Sequence, residues 1–325
     1  MKRFALALVI TGLSVGNPWA QGQGRSPFVD HSDTGETIHV LPPQAAIHSP
    51  HDTQPTFAPL LDKTAVYAAS YGSGNLTNHG GPIISDAGFF AIYWNSAVAN
   101  SNRTSLGYTA ISKQLTAFVN SFPNNSNYSG SATDDYEIVQ QYGSGVAIAN
   151  TLTNSGLLID NRKTQKSISD SSVRSYLVGL FDSGRVIPNG NTIYGIYFPP
   201  GMKVSLQGGG SCTSFCGYHG YFSYGGVPIK YASFPYLDCR ACSLSGLTVA
   251  DMLTIVTSHE IREAVTDPQL NAWYDSVGYE ADDKCAWHNL YKMTNGGFWV
   301  QPEYSNGGVS GGTSYPGPGC VVPNR

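Results

Sequence analysis

Gly246-Leu247-Thr248-Val249-Ala250-Asp251-Met252-Leu253-Thr254-Ile255-Val256-Thr257-Ser258-His259-Glu260-Ile261-Arg262-Glu263-Ala264-Val265-Thr266-Asp267-Pro268 reads as one helix with both ends marked. Thr248, with Asp251 three residues on, forms a capping box in which Asp stands for the usual Glu or Gln. Pro268 excludes the helical conformation for Asp267 and ends the helix near Thr266. Met252, Ile255, Val256 and Val265 recur at helical spacing and predict a buried face. His259 and Glu263 lie one turn apart on the same side, so an imidazole and a carboxylate can reach one metal ion. Glu260 stands beside them, placed to handle a proton of a metal-bound water. This is the arrangement of the H-E-x-x-H zinc helix, with Glu263 in place of the second His. The bare pattern also describes a solvated face on which Arg262 pairs with a neighbouring carboxylate. Two surroundings favour the metal. The apolar N-terminal half places the helix in a core, and Glu280-Ala281-Asp282-Asp283 follows where a third ligand is needed.

Working outward, the 325 residues suffice for one large domain or two small ones. Charged residues make up only 12% and the net charge is −4, which leaves no basic footprint for nucleic acid. Met1-Lys2-Arg3 and the short apolar run Phe4 to Leu13 form the n- and h-regions of a signal peptide, with cleavage expected after Ala20. That run is too short to span a bilayer and no later stretch is longer, so the expectation is a secreted protein without a membrane anchor. Six cysteines fit an oxidising compartment. Local pairing predicts Cys212–Cys216, Cys239–Cys242 and Cys285–Cys320; the rival is a four-thiolate zinc site from the first four, which the compartment disfavours.

Residues 21–65 are rich in Pro, His, Gln, Ser and Asp and read as an extended leader or pro-segment, with the catalytic domain at 66–325. His31, His39, His48 and His51 in that leader read as solvent-exposed bystanders. Gly88 to Trp94 is a buried strand, Tyr108 to Val119 a helix with Ile111, Leu115, Phe118 and Val119 on one side, and Asp135 to Tyr142 a second strand. Ser169 or Asp170 caps a helix through Leu180, and Thr192 to Phe198 is a third strand stopped by Pro199-Pro200. Strand and helix alternate, which predicts an α+β protein with a layered sheet and helices on it. Tyr218 to Tyr236 should add one or two antiparallel edge strands before the long helix. An edge strand leading into an H-E-bearing helix is similar to the layout of zincin metallopeptidase domains, where extended substrate adds to that edge.

Several stretches together resemble the EXORDIUM, or phosphate-induced, protein family. They are His79-Gly80-Gly81-Pro82, Ser214-Phe215-Cys216-Gly217-Tyr218-His219-Gly220, the His259-Glu260 helix ending in Thr266-Asp267-Pro268, Asn271-Ala272-Trp273-Tyr274, Glu280-Ala281-Asp282-Asp283-Lys284-Cys285 and Trp299-Val300-Gln301-Pro302. The resemblance runs in order over about residues 75 to 325. It implies secretion, association with cell wall or extracellular matrix, and a shared H-E-L-x-E helix and E-x-x-D-x-C segment at His259, Glu260, Glu263, Glu280, Asp283 and Cys285.

The residue types suit one zinc ion: an imidazole and carboxylates with one position open for water. His259, Glu263 and Glu280 are the expected ligands. Asp283 is either the third ligand in place of Glu280 or the partner of the other imidazole N–H of His259. Calcium fits less well, because it takes six to eight oxygens. Glu260 is the expected general base, and His219 either stabilises an oxyanion or hydrogen-bonds within a turn. Tyr274 is read as core packing, Asp267 as a turn residue, and His79 and His288 as bystanders. Two functions follow. One is a secreted zinc-dependent peptidase acting on peptide or protein substrates. The alternative is a non-catalytic cell-wall or matrix-binding protein with a structural metal site, for which the 20 Tyr and 5 Trp would supply glycan-stacking surface.

Overall fold

The computed structural model describes residues 26–47, 56–59, 63–122 and 136–323. The expected signal peptide, His48 and His51 lie outside the described residues. Strands β1 (Val29–His31), β2 (Thr37–Leu41), β3 (Ala87–Tyr93), β4 (Leu152–Ile159), β5 (Thr192–Tyr197), β6 (Gly217–Tyr224) and β7 (Val227–Phe234) form one seven-stranded sheet. Their spatial order is β1-β2-β6-β7-β5-β3-β4. The half containing β7, β5, β3 and β4 is parallel, and the half containing β1, β2 and β6 runs antiparallel to its neighbours. The protein is therefore a mixed α+β fold, as the alternation of elements predicts.

Alternation along the strands sorts the apolar side chains into two cores. Phe89 and Tyr93 of β3, Ile193 and Tyr197 of β5, and Ala232 and Phe234 of β7 point to one face. Ile92, Tyr194, Ile196, Ile229 and Tyr231 point to the other. Helices α1 (Ile111–Ser121) and α3 (Val249–Thr266) cover the first face, through Ile111, Leu115, Met252 and Val256 among others. Helix α2 (Asp170–Asp182) covers the second through Val173, Leu177 and Leu180, and Ser169 is its N-cap. Both faces of this mixed sheet are thus covered by helices. Among the described residues, no helix is long and apolar enough to cross a membrane.

Three sequence expectations need correction. Asp135–Tyr142 is not a strand: Glu137–Tyr142 is a 3₁₀ helix, and residues 123–135 lie outside the described part. Tyr136 and Val139 pack into the main core while Ile138 and Tyr142 enter a smaller one, a spacing of three and four that suits a helical turn rather than a strand. The true second strand is β4, whose polar, alternately exposed residues at the sheet's outer edge carry no continuous apolar signal. Part of the presumed leader is folded as well: β1 and β2 extend the sheet beyond β6, and Phe28 and Leu41 are wholly buried. The Tyr218–Tyr236 segment supplies no edge strand: β6 is antiparallel but lies between β2 and β7, and β7 pairs with β5 in parallel inside the sheet.

The disulfides are Cys212–Cys239, Cys216–Cys242 and Cys285–Cys320. Only the last follows the expected pairing. Cys212 and Cys216 flank a tight turn closed by the Cys212 N–H on the Phe215 carbonyl at 2.8 Å. Each bonds across to the segment that leads into α3, so two staggered bridges clamp the start of β6 to the approach of the long helix. No thiolate remains for a zinc site, since all six cysteines are bonded.

Candidate metal centre

Helix α3 positions the centre. Its N-terminus carries the expected capping box, with Thr248 and Asp251 satisfying one another's backbone N–H groups. All of its residues are buried, which is unusual for a helix bearing this many charges and makes each of them answerable for a partner. Arg262 has one: its Nε donates to Asp282 at 3.0 Å and its Nη2 to the Gln301 carbonyl at 3.0 Å. That pair, with Cys285–Cys320 just beyond it, brings the chain back so that Glu280 and Asp283 return to the face of α3 that carries His259 and Glu263.

Strand β6 lies under that same face. Gly217 and His219 are two apart and point the same way. A Cβ on Gly217 would meet Val256 Cγ1 at 2.3 Å and Glu260 Oε1 at 2.8 Å, so the helix rests on bare backbone there. One strand further out, β2 sets His39 directly opposite His219 in antiparallel register. Side chains of directly opposed residues share a face, and the two imidazole rings lie 5.7 Å apart, centroid to centroid.

Glu263 is the hub. Its Oε2 lies 3.1 Å from His259 Nε2, 3.6 Å from His219 Nε2 and 3.7 Å from His39 Nδ1. Glu280 places Oε1 at 3.5 Å from His39 Nδ1 and Oε2 at 3.5 Å from His219 Nε2. Asp283 places Oδ1 at 3.7 Å from His259 Nε2 and Oδ2 at 3.5 Å from His39 Nε2. His259 and Glu263 have no solvent exposure at all, and His39 has 4%. Despite this crowding, neither ring nitrogen of His219 or His259, nor Nδ1 of His39, nor Oε2 of Glu263 or Glu280 makes a hydrogen bond. Buried polar atoms are ordinarily paired. Donor atoms around a four-coordinate ion at ligand distances of about 2.0–2.1 Å stand roughly 3.3 Å from one another, which is the spacing found. The residues present therefore fit a metal ion, and the mixture of imidazole and carboxylate suits zinc.

The charges point the same way. In the absence of an ion, burial pushes Glu260, Glu280 and Asp283 well above the usual carboxylate range, with the Glu263 charge adding to it. Burial would raise Glu263 too, but the imidazoles of His259 and His39 outweigh it and hold that carboxyl below its usual range. Burial drives His219 down to about 3, so it is neutral and free to ligate.

Of the sequence candidates, His259, Glu263, Glu280, Asp283, Glu260 and His219 all converge here. Asp283 differs in detail from the orienting role: it meets Nε2 of His259, the nitrogen that also faces Glu263, rather than the other ring nitrogen. Its backbone N–H instead orients the Glu263 carboxylate, donating to Oε1 at 3.1 Å, while its own carboxylate accepts the Glu280 backbone N–H at 2.9 Å. Asp267 is the turn residue expected, accepting from the N–H groups of Asn271 and Ala272. His79 stacks on Tyr274, with ring centroids 3.5 Å apart, and His288 pairs with the Tyr71 hydroxyl at 3.0 Å. The residue that sequence reasoning missed is His39. A His between apolar neighbours in Thr37-Ile38-His39-Val40-Leu41 was the available signal, since alternation there puts it on the inward face with Leu41.

No family model matches the chain, and neither a curated protein nor a solved structure is found that matches it.

Proposed function

We propose that the protein is a secreted zinc-dependent peptidase. The observation that carries the reading is the set of buried, unbonded imidazole and carboxylate atoms around Glu263 Oε2, with both oxygens of Glu260 unbonded beside it. Glu263 and Glu280 would hold the ion with an imidazole, His259 beside Glu263 or His219 beside both, and the Asp283 N–H would brace the Glu263 carboxylate. The ion would supply an acidified water and a Lewis acid for a carbonyl. Everything else falls to the chain. Glu260 takes one proton from the attacking water on a carboxylate oxygen. Water oxygen bonds to the carbonyl carbon, the C–N bond breaks, and Glu260 returns the proton to the leaving amine nitrogen. An extended peptide would pair with Gly217 to His219 of β6 in the place that β2 occupies, once β2 is displaced. The antiparallel strand ahead of an H-E helix is similar to a zincin layout, and the three disulfides are compatible with an extracellular site of action.

The full burial of the centre favours one second reading, a non-catalytic matrix or cell-wall protein whose metal is structural, since structural zinc sites are closed by four protein ligands. One experiment separates the two. Purified protein is assayed for zinc and for hydrolysis of casein or a peptide library, with and without chelator, beside Glu260→Gln. Zinc with chelator-sensitive hydrolysis lost in Glu260→Gln supports the peptidase; zinc with no hydrolysis in any preparation supports the structural reading.

A further inference from the structure

We propose that the β1–β2 hairpin is an intramolecular inhibitor of the metal centre, with His39 standing in the position that a substrate must enter. The inference rests on the peptidase reading above. Three observations lead to it.

The first is placement. An extended peptide bound to the outer edge of β6 would lie where β2 lies, and β2 is paired there antiparallel, Leu41 opposite Gly217, Val40 opposite Tyr218 and His39 opposite His219. The Cys216 N–H donates to the Leu41 carbonyl at 2.7 Å, an edge hydrogen bond that substrate backbone would otherwise make.

The second is chemistry. His39 shares one cluster with His219, Glu263 and Glu280, whose ligand atoms all lie within 4.8 Å of one another, so without His39 three donors remain, which is what a catalytic zinc takes from protein before leaving a place for water. His39 adds a donor at 3.5 Å from Glu280 and 3.7 Å from Glu263, and nothing on β2 satisfies its Nδ1. A group that both fills the edge and offers a ligand turns an open centre into a closed one.

The third is the strength of attachment. β2 meets β6 over three residue pairs, whereas β7 meets it over seven, so the hairpin is the weakly held member of the sheet. Its turn is fastened to α2 by contacts near water: Arg174 to Glu36 at 2.9 Å, and the Ser171 N–H to Asp33 at 2.8 Å. Beyond the paired stretch, Tyr221 and Phe222 of β6 line an open cleft with Glu36 and Leu270, which would continue the substrate track once the hairpin is displaced. Phe28 and Leu41 anchor it by apolar burial, so displacement needs a cut or a competing strand rather than thermal fraying.

The test uses the full chain loaded with zinc. Wild type, His39→Ala and His39→Phe are mixed with excess dipicolinate and zinc loss is followed in time; peptide hydrolysis is measured alongside. Both variants should keep one zinc per chain, release it roughly tenfold or more faster, the lower scale on which supporting groups of a metal site act, and hydrolyse peptide faster than wild type. A synthetic peptide of residues 28–43 should slow them again, and the same peptide carrying His39→Ala should do so less. Equal release rates in all three proteins would overturn the proposal, because His39 would then not reach the metal. Loss of zinc binding in both variants would also overturn it, making His39 a permanent ligand of a closed site. If the variants do not fold, a specific protease site inserted between Ile47 and Thr56 replaces them. Faster zinc release after cutting supports the inhibitor, and unchanged release removes it. A wild type that binds no zinc refutes the peptidase reading itself, and the inhibitor with it.

Discussion

Tyr218 and His219 are neighbours on β6, yet they look into two different kinds of buried polar cluster. Tyr218 points to the α2 side, where its hydroxyl donates to Asp170 at 2.8 Å, Tyr231 donates to the same carboxylate at 2.6 Å, and Arg174 Nε lies 2.9 Å from the other oxygen. His219 points to the α3 side, where three more buried groups, His39, Glu263 and Glu280, crowd its nitrogen and none bonds to it. The Asp170 cluster sets both tyrosine hydroxyls on one carboxylate oxygen and the Arg174 charge against the other, so its charge is matched within the protein even though Asp170 Oδ2 and Arg174 Nε make no hydrogen bond. The Glu263 cluster is rich in acceptors and short of donors. Leaving one buried group unpaired costs about 1–3 kcal/mol, a cost that a positive charge entering the cluster would offset. One strand thus divides a structural network from a candidate binding site.

The largest expected effect tests that division from the site side. Glu260→Gln keeps the volume but cannot take up a proton, so turnover should fall by about two to four orders of magnitude, while zinc content and thermal midpoint stay near wild type. Steady-state kinetics with elemental analysis read both; release of zinc by this variant would make Glu260 a ligand. Next come His259→Ala and Glu263→Ala. Each should bind far less zinc than the one ion per chain expected of wild type, measured after equilibrium dialysis. Each should also lose the zinc-dependent rise in melting temperature that wild type shows by mass action.

The structural cluster should answer differently. Tyr218→Phe removes one hydrogen bond to a buried carboxylate and should cost roughly 1.5–3 kcal/mol in chemical denaturation without altering zinc content. If it instead releases zinc, the two faces of the sheet are coupled and the comparison fails.

The smallest effect is a difference in pH slope. Burial raises Asp267 to about 6 from 3.8, even against the N–H groups it accepts. It also raises Glu280 and Asp283. Between 3.8 and about 6 the folded state binds more protons at Asp267, so its contribution is fullest below about pH 4 and is lost as pH rises through 6, and Glu280 and Asp283 act in the same direction. The zinc-free chain should therefore lose stability over that window. The zinc-loaded chain should gain, because ligation needs deprotonated carboxylates and strengthens with pH. Denaturation midpoints at pH 4.5 and 6.5, with and without zinc, read the crossing.

Much of this was legible in the residues because local rules and tertiary packing agree. The capping box at Thr248, the stop at Pro268 and the spacing of His259 and Glu263 are all local, and α3 forms where they place it. β3 and β5 are continuous apolar runs at the sheet's centre. What could not be read is held by distant partners. β2 is five residues flanked by polar and proline-rich sequence, and only its pairing with β6 makes it a strand. His39 shared that fate, since its role depends on lying opposite His219. The crossed pairing of Cys212 and Cys216 likewise depends on which segment packs opposite the turn, not on the spacing along the chain.

Gly217 carries a consequence for descent. Its missing side chain is the room in which Val256 and the Glu260 carboxylate sit. Val256 stands nearer than Glu260, so alanine at 217 needs both to give way. The three positions should drift as a linked set. Gly217→Ala should be harmful alone, and shortening residue 260 without shortening Val256 should not repair it.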